Sequence, residues 1–129
     1  MIAVDSSALI ATIADEPEGQ VFRRILLDVA CVIAWPTVLE TFMVLLGRRT
    51  EHGLMFLNQW LERDNVRCRS FDSRLFREAC HAFQVYGKRR DGGLNFGDCM
   101  SYALAKDEAI PLLYKGDDFA KTDIRAALP

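Results

Sequence analysis

This chain of 129 residues predicts an α/β fold, a three-layer α/β/α sandwich with a central parallel sheet. Three observations predict it. Strand-like and helix-like segments alternate along the whole length. The strand-like segments Ile2-Ala3-Val4, Cys31-Val-Ile-Ala34 and Ile110-Pro-Leu-Leu-Tyr114 are continuous apolar runs, as expected of strands buried on both faces. Half of the residues are hydrophobic and 26% are charged, which suits one domain whose core needs neither disulfides nor a structural metal.

Each element has local support. Met1 to Val4 reads as the first strand, and Asp5-Ser6-Ser7 supplies capping side chains for a helix through Ala8-Leu9-Ile10-Ala11. Asp15-Glu16-Pro17-Glu18 opens a second helix to about Val29, with Pro17 suited to its first turn and Glu18 to its positive end. Cys31 to Ala34 is the second strand, and Pro36 opens a helix to Arg49. Glu51 to Arg63 is helical, with Leu54, Leu57, Trp60 and Leu61 on one face. Asn65 to Phe71 suits a strand, and Asp72 caps a long helix from Ser73 to Tyr86. Asp91-Gly92-Gly93 is loop by composition. Phe96 to Asp107 is helical, Ile110 to Tyr114 is the last clear strand, and Gly116-Asp117-Asp118-Phe119 turns into a short terminal segment.

A formal net charge of −2 excludes whole-molecule attraction to nucleic acid, so any such binding must come from local patches. Cys31, Cys68, Cys80 and Cys99 form no CxxC pair and match no zinc spacing. They read as small core residues in a reducing cytoplasm. Asp5 interrupts the only N-terminal apolar stretch, so no secretory signal is expected, and no apolar run approaches membrane-spanning length.

Five acidic residues stand where they need a reason. Asp5 and the pair Asp117 and Asp118 follow strands, which places them at the carboxyl edge of the sheet, where ligands of such folds bind. Glu40 interrupts the apolar stretch Pro36 to Leu46, and Asp98 sits in Asn95-Phe96-Gly97-Asp98 at a helix start. Two carboxylates about 5 Å apart repel by roughly 3 kcal/mol at an effective dielectric of ~20. Gathering several in one cleft therefore calls for protonation or a cation. Oxygen-only ligands select a hard ion, Mg²⁺ or Mn²⁺, and such an ion suits phosphate chemistry. Each acid also has a structural use: Asp5 and Asp98 as helix-start acids, Glu40 beside an arginine, Asp117-Asp118 as a turn pair. Lys88-Arg89-Arg90 precedes the Gly-rich loop leading to Asp98, and Lys115 adjoins the acidic loop; these are the candidates for phosphate contact, against solvated positions. Ser6 has two uses, helix capping or a bond to metal-bound water or substrate. His52 and His81 fall within helices and read as surface or packing residues.

The chain resembles PIN-domain ribonucleases and, more narrowly, the VapC toxins of bacterial type II toxin–antitoxin systems. The matching pieces are Met1-Ile-Ala-Val-Asp-Ser-Ser-Ala-Leu9, Glu40 in Pro36-Thr-Val-Leu-Glu-Thr41, Tyr86-Gly-Lys88, Gly93-Leu-Asn-Phe-Gly-Asp-Cys-Met-Ser-Tyr-Ala-Leu-Ala-Lys106 and Leu112-Leu-Tyr-Lys-Gly-Asp-Asp-Phe-Ala-Lys-Thr-Asp-Ile124. The resemblance spans residues 1–129 as a single PIN domain. It implies a Mg²⁺-dependent endoribonuclease acting on structured RNA such as tRNA or rRNA, leaving a 5′-phosphate. It places metal-binding roles on Asp5 and Asp98, with Glu40 and one of Asp117 or Asp118 completing the catalytic set. It further implies a homodimer or toxin–antitoxin hetero-oligomer, silenced by a cognate VapB-like antitoxin whose C-terminal segment fills an apolar groove. Leu54, Met55, Phe56, Leu57 and Trp60 offer apolar faces for such a groove or for a dimer surface, against simple core packing for most of them. A phosphoacceptor receiver would want an acidic pair near the first strand and an acid after the central one, but Ala34-Trp35-Pro36 carries none. A haloacid-dehalogenase-type phosphatase would want an aspartate where Ser7 stands. The alternative from another class is a non-catalytic RNA- or antitoxin-binding PIN module.

Overall fold

Alternating sidedness along four short strands divides the core in two. The computed structural model describes residues 1–89 and 92–128. In chain order its elements are β1 (Ile2–Val4), α1 (Ser6–Ile13), α2 (Gly19–Asp28), β2 (Cys31–Ala34), α3 (Trp35–Gly47), α4 (Glu51–Leu61), β3 (Val66–Arg69), α5 (Ser73–Tyr86), α6 (Phe96–Glu108) and β4 (Leu112–Leu113). The strands pair in the order β3-β2-β1-β4, all parallel. Ala3, Val32, Ala34 and Leu112 face one way, against Leu75 and Ala82 of α5 and Tyr102 and Leu104 of α6. Ile2, Val4, Cys31, Ile33 and Leu113 face the other, against Leu9 of α1, Phe22 and Leu26 of α2, and Leu57 and Trp60 of α4. Strands buried on both faces explain the unbroken apolar runs, and the three-layer α/β/α expectation holds.

Several boundaries differ from expectation. The second helix begins at Gly19, not at Asp15, because Asp15 adopts φ 54 and the chain turns through Glu16, whose N–H donates to Ala11 O at 3.1 Å. Gly19 packs so closely on α1 that an added Cβ would lie 2.6 Å from Ala11 O. The third helix runs Trp35–Gly47, starting one residue before Pro36 and ending two before Arg49, and Arg49 adopts φ 54. β3 is only Val66–Arg69, at the sheet edge, where Arg69 pairs with Asp107 and Arg67 with Glu108 of α6. β4 shrinks to Leu112–Leu113, but the terminal segment runs beside it: Leu112 N–H donates to Arg125 O and Ala127 N–H to Leu112 O.

The cysteines are all free; Cys31 and Cys99 are buried, but Cys80 is exposed. Among the described residues no helix is long and apolar enough to cross a membrane. On α4, Leu57 and Trp60 are buried in the core, whereas Met55 is exposed. Further exposed apolar surface lies on α3, where Leu39 and Met43 are 58% and 61% exposed, and on α5 and α6 through Phe76, Phe83 and Phe96. The apolar neighbours of Glu40 therefore do not all enclose it; half of that helix faces outward.

Candidate active site

Parallel pairing puts the carboxyl ends of β1, β2 and β4 on one edge, and Asp5 emerges there directly after Val4. Its backbone N–H donates to Leu113 O at 3.0 Å, which ties it to β4. The side chain is 3% exposed. One carboxylate oxygen accepts from the Ser101 hydroxyl at 2.5 Å, and the other accepts from the Ser7 N–H at 3.0 Å and the Ser7 hydroxyl at 2.6 Å. Ser7 in turn accepts from Lys115 N–H at 2.9 Å. Asp5 is thus the N-cap of α1 and also the centre of a network joining β1, α6 and the segment after β4. The two readings of this residue are one geometry.

Asp98 sits in the first turn of α6, in a reciprocal cap. Its N–H donates to the Asn95 side chain at 2.9 Å, and its carboxylate accepts from Asn95 N–H at 3.0 Å. Burial lifts its pKa from 3.8 to about 6; the Asn95 N–H bond opposes this, and the charges of Asp5, Asp118 and Glu40 add to it. Glu40 is also raised, chiefly by burial and further by Asp5, while the Ser6 hydroxyl pulls it back. Its carboxylate lies against Gly97 so closely that a Cβ there would overlap it. Four acids from β1–α1, α3, α6 and the turn after β4 therefore feel one another. Of the aspartate pair, it is Asp118 whose charge bears on Asp98.

Among the described residues no Lys, Arg or His forms an ion pair with any of these acids. Nor do three or more His, Cys, Asp or Glu side chains there close into ion-holding geometry by themselves. The all-oxygen donor set nevertheless fits a hard cation, because Mg²⁺ takes one or two direct carboxylates and keeps several waters. The carboxylates of Asp5 and Asp98 are held by hydrogen bonds from Ser7, Ser101 and Asn95, and that of Glu40 by the Ser6 hydroxyl.

The basic candidates separate. The Lys115 ammonium pairs with Glu16 and, at 2.9 Å, with Glu18, so it is committed away from the acids. Lys88 and Arg89 are exposed; Lys88 N–H donates to Leu94 O, and Arg89 and Gly92 exchange backbone hydrogen bonds. Arg90 lies outside the described residues. His52 and His81 stand on exposed faces of α4 and α5. Sequence reasoning missed Ser101 and Gly97, and assigned Ser6 no partner among the acids. Ser101, one turn beyond Asp98 on α6, and Gly97, just before it, offered only their spacing as a signal.

Comparison with known proteins gives a consistent result. The PIN domain family matches residues 2–125. Ribonuclease VapC30 of Mycobacterium tuberculosis is 40% identical over 131 residues, covering 99% of this chain and all of that protein. Among solved structures, M. tuberculosis VapC20, described as a sarcin-ricin loop cleaving toxin, superposes with a TM-score of 0.77 at 16% identity, over the whole of both chains. A toxin–antitoxin complex from Klebsiella pneumoniae gives 0.70 at 18% identity, covering 95% of this chain and 93% of that one.

Proposed function

The chain belongs to the PIN-domain family, among the VapC ribonucleases, and from that membership we propose a Mg²⁺-dependent endoribonuclease toxin of a type II toxin–antitoxin module. Its substrates are structured RNAs of the tRNA or rRNA kind, and Mn²⁺ can substitute. The observation that carries this reading is the convergence of Asp5, Glu40, Asp98 and Asp118 on one sheet edge, with Asp98 pushed up to about 6. Such a cluster favours a divalent cation over an isolated protein surface.

Asp5 and Asp98 would hold the ion, Asp5 oriented by Ser7 and Ser101 and Asp98 by Asn95. A bound divalent cation supplies Lewis-acid stabilisation of the scissile phosphate and a water of lowered pKa. Glu40, fixed against Gly97, and Asp118 accept hydrogen bonds from water and orient it toward the phosphorus. No histidine takes part.

A cognate VapB-like antitoxin is the partner, in a homodimeric or hetero-oligomeric assembly. An apolar groove of about 930 Å³ runs from Trp35, Leu39 and Met43 of α3 to Phe96 and Met100 of α6, and its lining includes Glu40 and Gly97. A peptide seated there brings a basic side chain within reach of the acids. On this reading the antitoxin seats on α3 and α6.

The test is cleavage by the purified protein with Mg²⁺ or Mn²⁺, followed by sequencing of the RNA ends. Asp5→Asn should abolish cleavage and the growth arrest that expression causes; retained cleavage refutes the metal role. A wild-type protein that binds RNA or antitoxin but never cleaves would favour the non-catalytic module.

A further inference from the structure

A cavity of about 360 Å³ lies next to the acidic cluster, shares Asp118 with it and is lined also by Asp117. Its other walls come from the end of α5 (Val85, Tyr86), Arg89, and Lys121 in the turns after β4. Its polarity differs from that of the acidic cluster. Asp5, Glu40 and Asp98 have no cationic partner among the described residues, whereas this cavity is lined by two cations as well as by Asp117 and Asp118. Most other cations near the sheet edge or on α6 are spoken for: Lys115 by Glu16 and Glu18, Lys106 by Asp123, Arg69 by Asp107. Arg89 and Lys121 make no ion pair among the described residues, although both are exposed beside carboxylates.

Arg89 is presented, not left dangling. Its N–H donates to Gly92 O at 3.0 Å, Gly92 N–H returns to Arg89 O at 3.2 Å, and its guanidinium donates to Gln84 O at 3.2 Å. The next residue, Gly93, has φ +124, and a Cβ there would lie 2.7 Å from Tyr86 O, so this segment packs against the end of α5 only because it is glycine. A guanidinium held in place by a neighbouring carbonyl, here that of Gln84, loses less entropy on gripping an anion than a free one.

Resting on the nuclease reading above, we propose that this cavity is the subsite for a second RNA phosphate, flanking the scissile one, with Arg89 and Lys121 as its cationic clamp. A polyanion cannot approach four acids without compensation, and a phosphate seated between these two cations delivers the next one to the acidic cluster. The exposed apolar wall of Val85 and the edge of Tyr86 suit the sugar between the two phosphates. The two cations are positioning residues; neither touches the reacting atoms.

The test measures anisotropy of a labelled single-stranded oligoribonucleotide on the full-length Asp5→Asn protein with Mg²⁺, across a series of KCl concentrations. Each phosphate contact on single strands contributes about 0.7 to the slope of log affinity against log salt. Lys121→Ala and Arg89→Ala should each weaken binding several-fold and flatten the slope by about 0.7, the double variant should roughly double the change, and Lys121→Arg should restore it. Lys115→Ala, whose ammonium is held by Glu16 and Glu18, should leave the slope unchanged. In the otherwise wild-type enzyme Lys121→Ala should raise KM with kcat nearly constant. Coincident slopes for the double variant and its parent overturn the subsite, as does an equal loss in Lys115→Ala. A wild-type protein that binds RNA with these slopes but does not cleave it overturns the nuclease reading instead.

Discussion

Removing one charge from the acidic cluster should stabilise the protein while silencing it. In the fold, Asp98 titrates near 6 instead of its ordinary 3.8. Below about pH 4 the carboxyl is protonated both folded and unfolded, and it costs nothing. Between about pH 4 and 6 the folded state keeps a proton that the unfolded state has released, so stability falls as pH rises through that window. Above about 6 the charge sits in the fold at full cost. Two pH units correspond to roughly 3 kcal/mol; Asp98 is only half-buried, and solvent screening brings this to about 1–2 kcal/mol. Asp98→Asn removes the titration but keeps a side-chain oxygen able to accept from Asn95 N–H, so the helix cap largely survives. In metal-free buffer at pH 7 the variant should unfold about 1–2 kcal/mol later in urea than wild type, and the two should converge near pH 4. Adding Mg²⁺ should stabilise wild type by binding to the native state alone and the variant much less. RNA cleavage should be lost in the variant at every pH. Parallel stability curves from pH 4 to 7, or equal gains from Mg²⁺, would refute the coupling of Asp98 to the other acids.

Two further outcomes follow from the same geometry. Gly97→Ala favours the helix by about 1 kcal/mol but drives a methyl into the Glu40 carboxylate, whose flexible end must swing away; melting should move by only a few degrees while cleavage drops roughly tenfold to a hundredfold, and unchanged kcat would take Glu40 out of the reaction. Leu39→Glu with Met43→Glu places charge on the exposed face of α3 and should leave cleavage intact while co-expressed antitoxin no longer relieves growth arrest; full neutralisation of that variant would move the antitoxin off this groove.

The architecture was legible because burial on both faces leaves a direct trace: each of β1, β2 and β4 is an apolar run, and a helix signal follows each of the first two. Element ends were less legible for identifiable reasons. Asp15 and Arg49 take left-handed backbone conformations, which neither residue type announces. β4 appears long in sequence because Ile110 and Tyr114 are apolar, yet only Leu112 and Leu113 find ladder partners. The exposed face of α3 was hidden for the opposite reason. Apolar composition signals burial without saying whether this chain or another covers it, so a helix that reads as core proves to be half surface.

The acids were legible one by one, since a carboxylate after a buried strand is costly wherever it points. Their supports were not. Ser101 reaches Asp5 across 96 positions of sequence, and nothing about a serine in the middle of a helix marks it as the partner of a residue on another element. The same holds for Glu40 and Gly97, where the signal is the absence of a side chain. What the folded chain adds is therefore less the membership of the cluster than its rigidity. Serines hold Asp5, a cap holds Asp98, and a glycine lets Glu40 come close, so Asp5 and Asp98 cannot relieve their repulsion by turning outward. A cluster unable to relax must protonate or bind a cation, and near neutral pH, with Asp98 titrating at about 6, protonation is no longer sufficient. The hydrogen bonds that fix Asp5 and Asp98 thus support the proposed reading, in which a divalent ion neutralises them.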